Sequence, residues 1–217
     1  MENDFDYFVE QFKKAITMID EKIGQILKAL DQKGYLDNCV VIFTSDHGDC
    51  LGDHGHSHKW TMYDAVTRVP AIVWAPKLIR GGRKIDDLGQ QMDLGASILD
   101  LAGVRIPASM EAISLVPVLQ GEKMAVGRSF VFAEHGRDTV LQDTENMIMV
   151  RSREWKLVCF LGEQYGQLFH LAEDPEEVHD LWVDPDMYEK KQELLNVLRE
   201  WFIGSAYRTR GWKSEWR

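Results

Sequence analysis

Basic charge is scarce in this chain. Its 25 lysines and arginines stand against 35 aspartates and glutamates, for a formal net charge of -10. Binding nucleic acid needs a basic face to neutralise phosphates, so the charge balance argues against that class of function. A small anionic substrate needs only a local positive site and stays open. Cysteine is scarce too: Cys39, Cys50 and Cys159 are odd in number, widely spaced and form no CxxC pair. That excludes a disulfide framework and fits reduced, mostly buried thiols. No apolar run approaches the ~18 residues of a membrane span. The opening MENDFDYFVEQF lacks the basic-then-apolar layout of a signal peptide. No membrane partner is expected, and localisation stays unknown. Internal repeats and low-complexity segments are absent as well.

What is present is the composition of a folded protein, 45% hydrophobic and 28% charged over 217 residues. From Phe5 onward apolar residues recur at 5, 8, 12, 16, 19, 23, 26 and 30. These steps of three and four predict one helix over about 4–33, roughly 45 Å long, with Gly34 as its left-handed cap. CVVIF (39–43) and VPAIVW (69–74) read as strands buried on both faces. DLGASILDLA (93–102) has helical periodicity and ends at Gly103. After Gly121 come SFVFAE (129–134), MIMVRS (147–152), EWKLVCF (154–160) and YGQLFHL (165–171), which predict an antiparallel meander. A closing helix is expected over about 186–203, with Leu194, Leu195, Leu198, Trp201 and Phe202 on one side. The chain therefore divides into an α/β part over 1–125 and a small antiparallel sheet with a C-terminal helix over 126–217.

Chemistry concentrates between the first two strands, in IFTSDHGDCLGDHGHSHKW (42–60). Asp46 follows the end of a strand, where ligands gather in α/β sheets, and Gly48 permits a sharp turn after it. Asp46 and His47 can offer oxygen and nitrogen to one divalent cation, Ca²⁺, Mg²⁺, Mn²⁺ or Zn²⁺; alternatively Asp46 caps a turn and His47 is a surface residue. Lys59 could supply positive charge to a sulfate or phosphate oxygen, or be a solvated lysine. His54, His56 and His58 suggest a zinc site, but alternating residues of an extended chain point opposite ways. At most one is expected to reach the centre, His54 or His58. His135 in FAEHGRD either lines a substrate pocket or is a polar residue at a strand end.

The run TSDHGDCLGDHGHSHKW followed by TRVPAIVWAP resembles the metal-and-lysine segment of the sulfatase family, in the alkaline phosphatase superfamily. MIDEKIGQILKALDQKGYLDNCVVIFTSDHG, QMDLGASILDLAGVRIPASMEAISLVPVLQGE, RSREWKLVCF and LFHLAEDPEEVHDLW extend that resemblance, in order, over nearly all of the chain. It implies part of an alkaline-phosphatase-like mixed sheet flanked by helices, together with the small antiparallel subdomain. It also implies a sulfuric ester hydrolase that binds one divalent cation, Ca²⁺ first. Asp46 and His47 would be two of its ligands, and Lys59 would contact the sulfate group. His54 and His58 remain candidates for substrate contact, and Arg68 is read as structural. Many sulfatases have asparagine at the position of His47, whereas phosphonate monoester hydrolases and some sulfatases have histidine, so a phosphonate or phosphodiester substrate stays open beside a small sulfate ester.

The family's nucleophile is a formylglycine made from a Cys/Ser-x-Pro/Ala-x-Arg motif, and nothing in this chain fits it. Two further metal-binding acids also have no candidate. The chain thus resembles the C-terminal portion of a sulfatase and is expected to be a fragment, inactive alone. Self-association through surfaces left uncovered is expected, and a strictly monomeric species in light scattering would count against it. Two other readings compete with this one. A two-metal phosphatase would add an Asp-x-x-x-His pair, which the chain lacks. A non-catalytic metal-binding module would keep the fold alone.

Overall fold

A computed structural model describes residues 2–136 and 146–209. It opens with helix α1, Glu2–Gln32. Gly34 ends this helix at φ +69°. Its N–H donates to Asp31 O at 2.8 Å and the Tyr35 N–H donates to Leu30 O at 2.9 Å, the capping pattern expected of a left-handed glycine. Strands β1 (Val41–Thr44) and β2 (Ala71–Trp74) follow, with the short helix α2 (Asp64–Thr67) between them. They pair antiparallel, with Val41 opposite Trp74 and Thr44 opposite Ala71.

Here the structure departs from the sequence reading. The continuous apolar pattern predicts burial on both faces, yet Phe43, Ile72 and Trp74 are 39%, 59% and 41% exposed. Among the described residues this sheet has only its two strands. The apolar stripe of α1 is likewise exposed at Phe5, Ile16, Ile19 and Ile26.

Helix α3 (Gln91–Leu101) starts from a reciprocal capping box between Gln90 and Asp93. Gly103, at φ +68°, closes it as expected. A short helix α4 (Val116–Gln120) follows, with proline in its first turn. Then comes the meander: β3 (Val131–Gly136), β4 (Asn146–Arg151), β5 (Trp155–Phe160) and β6 (Gly166–His170), in sheet order β3-β4-β5-β6 and antiparallel throughout. The chain closes with α5, Tyr188–Arg208.

The period-two alternation of β4 and β5 gives the four-stranded sheet two apolar faces. Val150, Leu157 and Leu168 pack under Leu194 and Leu198 of α5, with Trp201 beside them. The Trp201 ring stacks on Phe132, centroids 4.5 Å apart. Phe202, expected on the same apolar side, points outward. On the other face Met147, Met149 and Val158 pack against Met62. The connection between β1 and β2 is therefore itself part of the second core. All three cysteines are free thiols. Cys50 is fully buried, and burial pushes the Cys159 thiol up to about 11. No helix among the described residues is long and apolar enough to cross a membrane.

Candidate active site

The polar stretch after β1 is a folded structure of its own. Gly48 shows why the loop turns where it does. A Cβ there would lie 1.9 Å from Ala65 O, and the Gly48 N–H donates to Val66 O at 2.8 Å. The glycine expected to permit a sharp turn is thus required for close approach to the chain before β2. Asp49 then gathers the loop: its Oδ1 accepts from Leu51 N at 2.8 Å and from His58 N at 3.1 Å. The Cys50 N–H donates to His58 O at 3.1 Å and the Gly52 N–H to His56 O at 2.9 Å. Residues 49–58 therefore fold back on themselves. Four of them have positive φ besides His58: Leu51, Gly52, His54 and Gly55.

This folding sorts the histidines. His54, at φ +55°, stacks on Tyr63 with ring centroids 3.7 Å apart. His58 lies beside Asp49 and edge-on to Trp60. Neither is among the residues lining the cleft that Asp46, His47 and Lys59 share. Thr44 at the end of β1 and Ala71 at the start of β2 line that cleft, as do Arg68, Gln91 and His135. Arg68, read from sequence as structural, is exposed to the cleft. His135 reaches it from β3.

Asp46 and His47 sit at the mouth, their side chains 83% and 39% exposed. The Asp46 Oδ1 accepts from the His47 backbone N–H at 3.0 Å, and that hydrogen bond holds the carboxyl below the usual carboxylate range. The carbonyl of His47 is fixed in turn by Ser45 Oγ, which donates to it at 2.7 Å. Gln91 Nε2 at the start of α3 donates to Ser45 O. His47 Nδ1 lies 2.8 Å from Gly48 O. A carbonyl oxygen can only accept, so Nδ1 donates to it and Nε2 is left to face Asp46. Nε2 stands 3.5 Å from Asp46 Oδ2. Two donors on adjacent positions of one cation, each about 2.0–2.4 Å from it, are roughly 3 Å apart. The pair fits two positions of a cation's shell. Among the described residues no cluster of three or more His, Cys, Asp or Glu side chains could complete it.

Lys59 lines the same cleft, half-buried. Beyond Lys59 lies a charge group that the sequence reading missed. Lys156 is fully buried and pairs with Asp64 at 2.5 Å and Glu177 at 2.6 Å. Burial pushes the Asp64 carboxyl up, but Lys156 and Arg151 outweigh burial and hold it below the usual range. A lysine inside the otherwise apolar run WKLVCF, its second residue, was the available signal.

Residues 52–202 match the family described as N-sulphoglucosamine sulphohydrolase, C-terminal, and residues 3–57 match type I phosphodiesterase / nucleotide pyrophosphatase. An N-acetylglucosamine-6-O-sulfatase of Bacteroides thetaiotaomicron is 28% identical over 90% of this chain and 36% of its own length. A solved structure in complex with its substrate D-glucosamine-2-N,6-O-disulfate has 27% identity and a TM-score of 0.78, over 90% of this chain and 40% of that one. Phosphonate monoester hydrolase of Agrobacterium radiobacter also matches in structure, with 27% identity and a TM-score of 0.74 over 84% of this chain and 39% of its own. The chain thus spans well under half the length of these relatives.

Proposed function

Because the chain belongs to the sulfatase family of the alkaline phosphatase superfamily, we propose that it supplies the metal-and-lysine portion of a sulfuric ester hydrolase centre. The observation carrying this reading is the placement of Asp46, His47 and Lys59 on one cleft, with His47 held through Nδ1 so that Nε2 faces Asp46. Asp46 and His47 would hold a divalent cation, Ca²⁺ first, with Mn²⁺, Mg²⁺ or Zn²⁺ as alternatives. Once bound, the cation supplies positive charge to the oxygens of the ester's anionic group. Asp46 brings a carboxylate kept ionised by the His47 N–H. His47 would bring an imidazole oriented through Gly48 O, with Nε2 toward Asp46. Lys59 brings a second positive charge for an oxygen of the sulfate group, which gains most where charge builds in the transition state. Names of relatives point to a sulfated amino sugar as the substrate class.

The chain holds no Cys/Ser-x-Pro/Ala-x-Arg motif, and Asp46 and His47 make only part of a cation's shell. We therefore take it to be a fragment with half of a centre, inactive alone. Purified chain assayed on aryl sulfates with added Ca²⁺ or Mn²⁺ is expected to give no turnover, and metal-dependent turnover would refute the fragment reading. Calorimetry with the same metals separates a half-site, which binds too weakly to detect, from a standing metal-binding module, which binds tightly. A second reading, phosphonate monoester or phosphodiester hydrolysis, is favoured by histidine at position 47 and by the likeness to the Agrobacterium enzyme. Joined to a nucleophile-bearing segment, the chain would distinguish the two by its ratio of aryl sulfate to aryl phosphonate turnover.

A further inference from the structure

Three residues downstream of Lys59 the backbone is gripped by charges that the proposed chemistry does not use. The Lys156 ammonium donates to Met62 O at 3.0 Å and pairs with Asp64 Oδ1 at 2.5 Å and Glu177 Oε1 at 2.6 Å. The ammonium thus donates two hydrogen bonds, to Met62 O and Asp64 Oδ1, and faces Glu177 Oε1 as an ion pair. The second Glu177 oxygen, Oε2, accepts from the Asp64 backbone N–H at 2.6 Å. Arg151 forks onto the Asp64 carboxylate at 3.2 and 2.9 Å. Glu177 itself holds φ +56°, a left-handed conformation that a glutamate rarely adopts.

The placement is costly and unnecessary for packing alone. Lys156 stands on the sheet face shared by Met149 and Val158, where an apolar side chain would fill the core against Met62. Burying an ammonium among them carries a large desolvation cost, and replacing such an ion group with apolar residues is often neutral or stabilising. What the charges add is direction. Apolar contact lets Met62 slide, whereas donors and acceptors fix its carbonyl, the Asp64 N–H and the Asp64 carboxylate at once. Lys59 is tethered to that point by three residues, and Lys59, Met62 and Asp64 line the same cleft as Asp46 and His47.

We propose that Lys156 is a positioning residue for Lys59, acting through Met62 O, Asp64 and Glu177 to hold the lysine in the cleft. The inference rests on the reading of Lys59 as the anion contact. Acetylation of individual lysines in the intact chain tests it, read by mass spectrometry well below the unfolding temperature, with and without inorganic sulfate. In Lys156→Met, Lys59 is expected to react about fivefold faster relative to exposed Lys13 and Lys84, the change that corresponds to roughly one kcal/mol of local opening. Sulfate protection of Lys59 should shrink with it. An unchanged Lys59 rate, or equal acceleration of all three lysines as in a merely structural role, would overturn the proposal. Should Lys156→Met fail to fold, Lys156→Met/Glu177→Gln removes the two opposite buried charges together and is held to the same comparison. If sulfate never slows Lys59 in the unaltered chain, the anion reading fails, while release of Lys59 in the variant still measures the clamp separately.

Discussion

Lys59→Ala, in the chain joined to a nucleophile-bearing segment, is expected to lower kcat on an aryl sulfate by about two to three orders of magnitude. That is the size of effect seen when one donor aimed at developing charge is removed. Lys59 is half-buried on the cleft, and among the described residues no ion pair or hydrogen bond engages its ammonium. Its charge is therefore available to a substrate and is not spent on the fold. For the same reason the substitution should leave stability within about 0.5 kcal/mol, as for a side chain with no structural partner. Steady-state kinetics separates two roles. A fall in kcat and kcat/KM together means the ammonium acts mainly on the transition state, while a raised KM with kcat intact means it binds ground and transition states alike. Unchanged turnover would remove Lys59 from the site. Lys59→Arg keeps the charge but spreads it over a planar fork, and it should recover only part of the activity.

The elements legible from sequence were those whose signal is local. Phe5 to Leu30 repeat at helical spacing, and Gly34 and Gly103 fall where their helices need left-handed caps; all of this is written within one or two turns of chain. The meander was legible because each strand is short and bounded by turns. The surroundings of β1 and β2 were not. An apolar run reports that a strand can be covered, but not which chain covers it, and here Ile72 and Trp74 stay exposed. At the site, Asp46, His47 and Lys59 could be picked out because their types and order resemble a known pattern. The fate of His54 and His58 could not, because it depends on positive φ at residues other than glycine and on a ring stack with Tyr63. The charge group at Lys156 was hidden for a further reason: its partners, Asp64 and Glu177, lie far away along the chain in either direction, and no periodicity links them.

The same blindness to distant pairs covers Asp93, whose removal should have the largest effect on stability. Read along α3 it is one more polar residue in a helix's first turn, yet it is 0% exposed. Its Oδ2 accepts from Gln90 N at 2.7 Å and its Oδ1 from Ile113 N at 2.8 Å. Arg128, just before β3, closes on both oxygens as a fork. Gln90 Nε2 also donates to Phe132 O at 3.2 Å. One carboxylate thus ties together the start of α3, the chain at Ile113 and the approach to β3. Since Gln91 at the same helix start holds Ser45 O beside Asp46, loosening this knot would reach the cleft. Asp93→Ala leaves a guanidinium buried without its partner and two backbone N–H groups without acceptors. The expected loss is about 3–5 kcal/mol, the usual cost of breaking a buried pair from one side. Arg128→Ala should cost a similar amount, and the double variant clearly less than the sum, because each single change already abolishes the shared interaction. Urea unfolding of the three variants decides it. Single losses under about 1 kcal/mol, or strict additivity, would mean that Asp93 and Arg128 do not act as the unit their geometry describes.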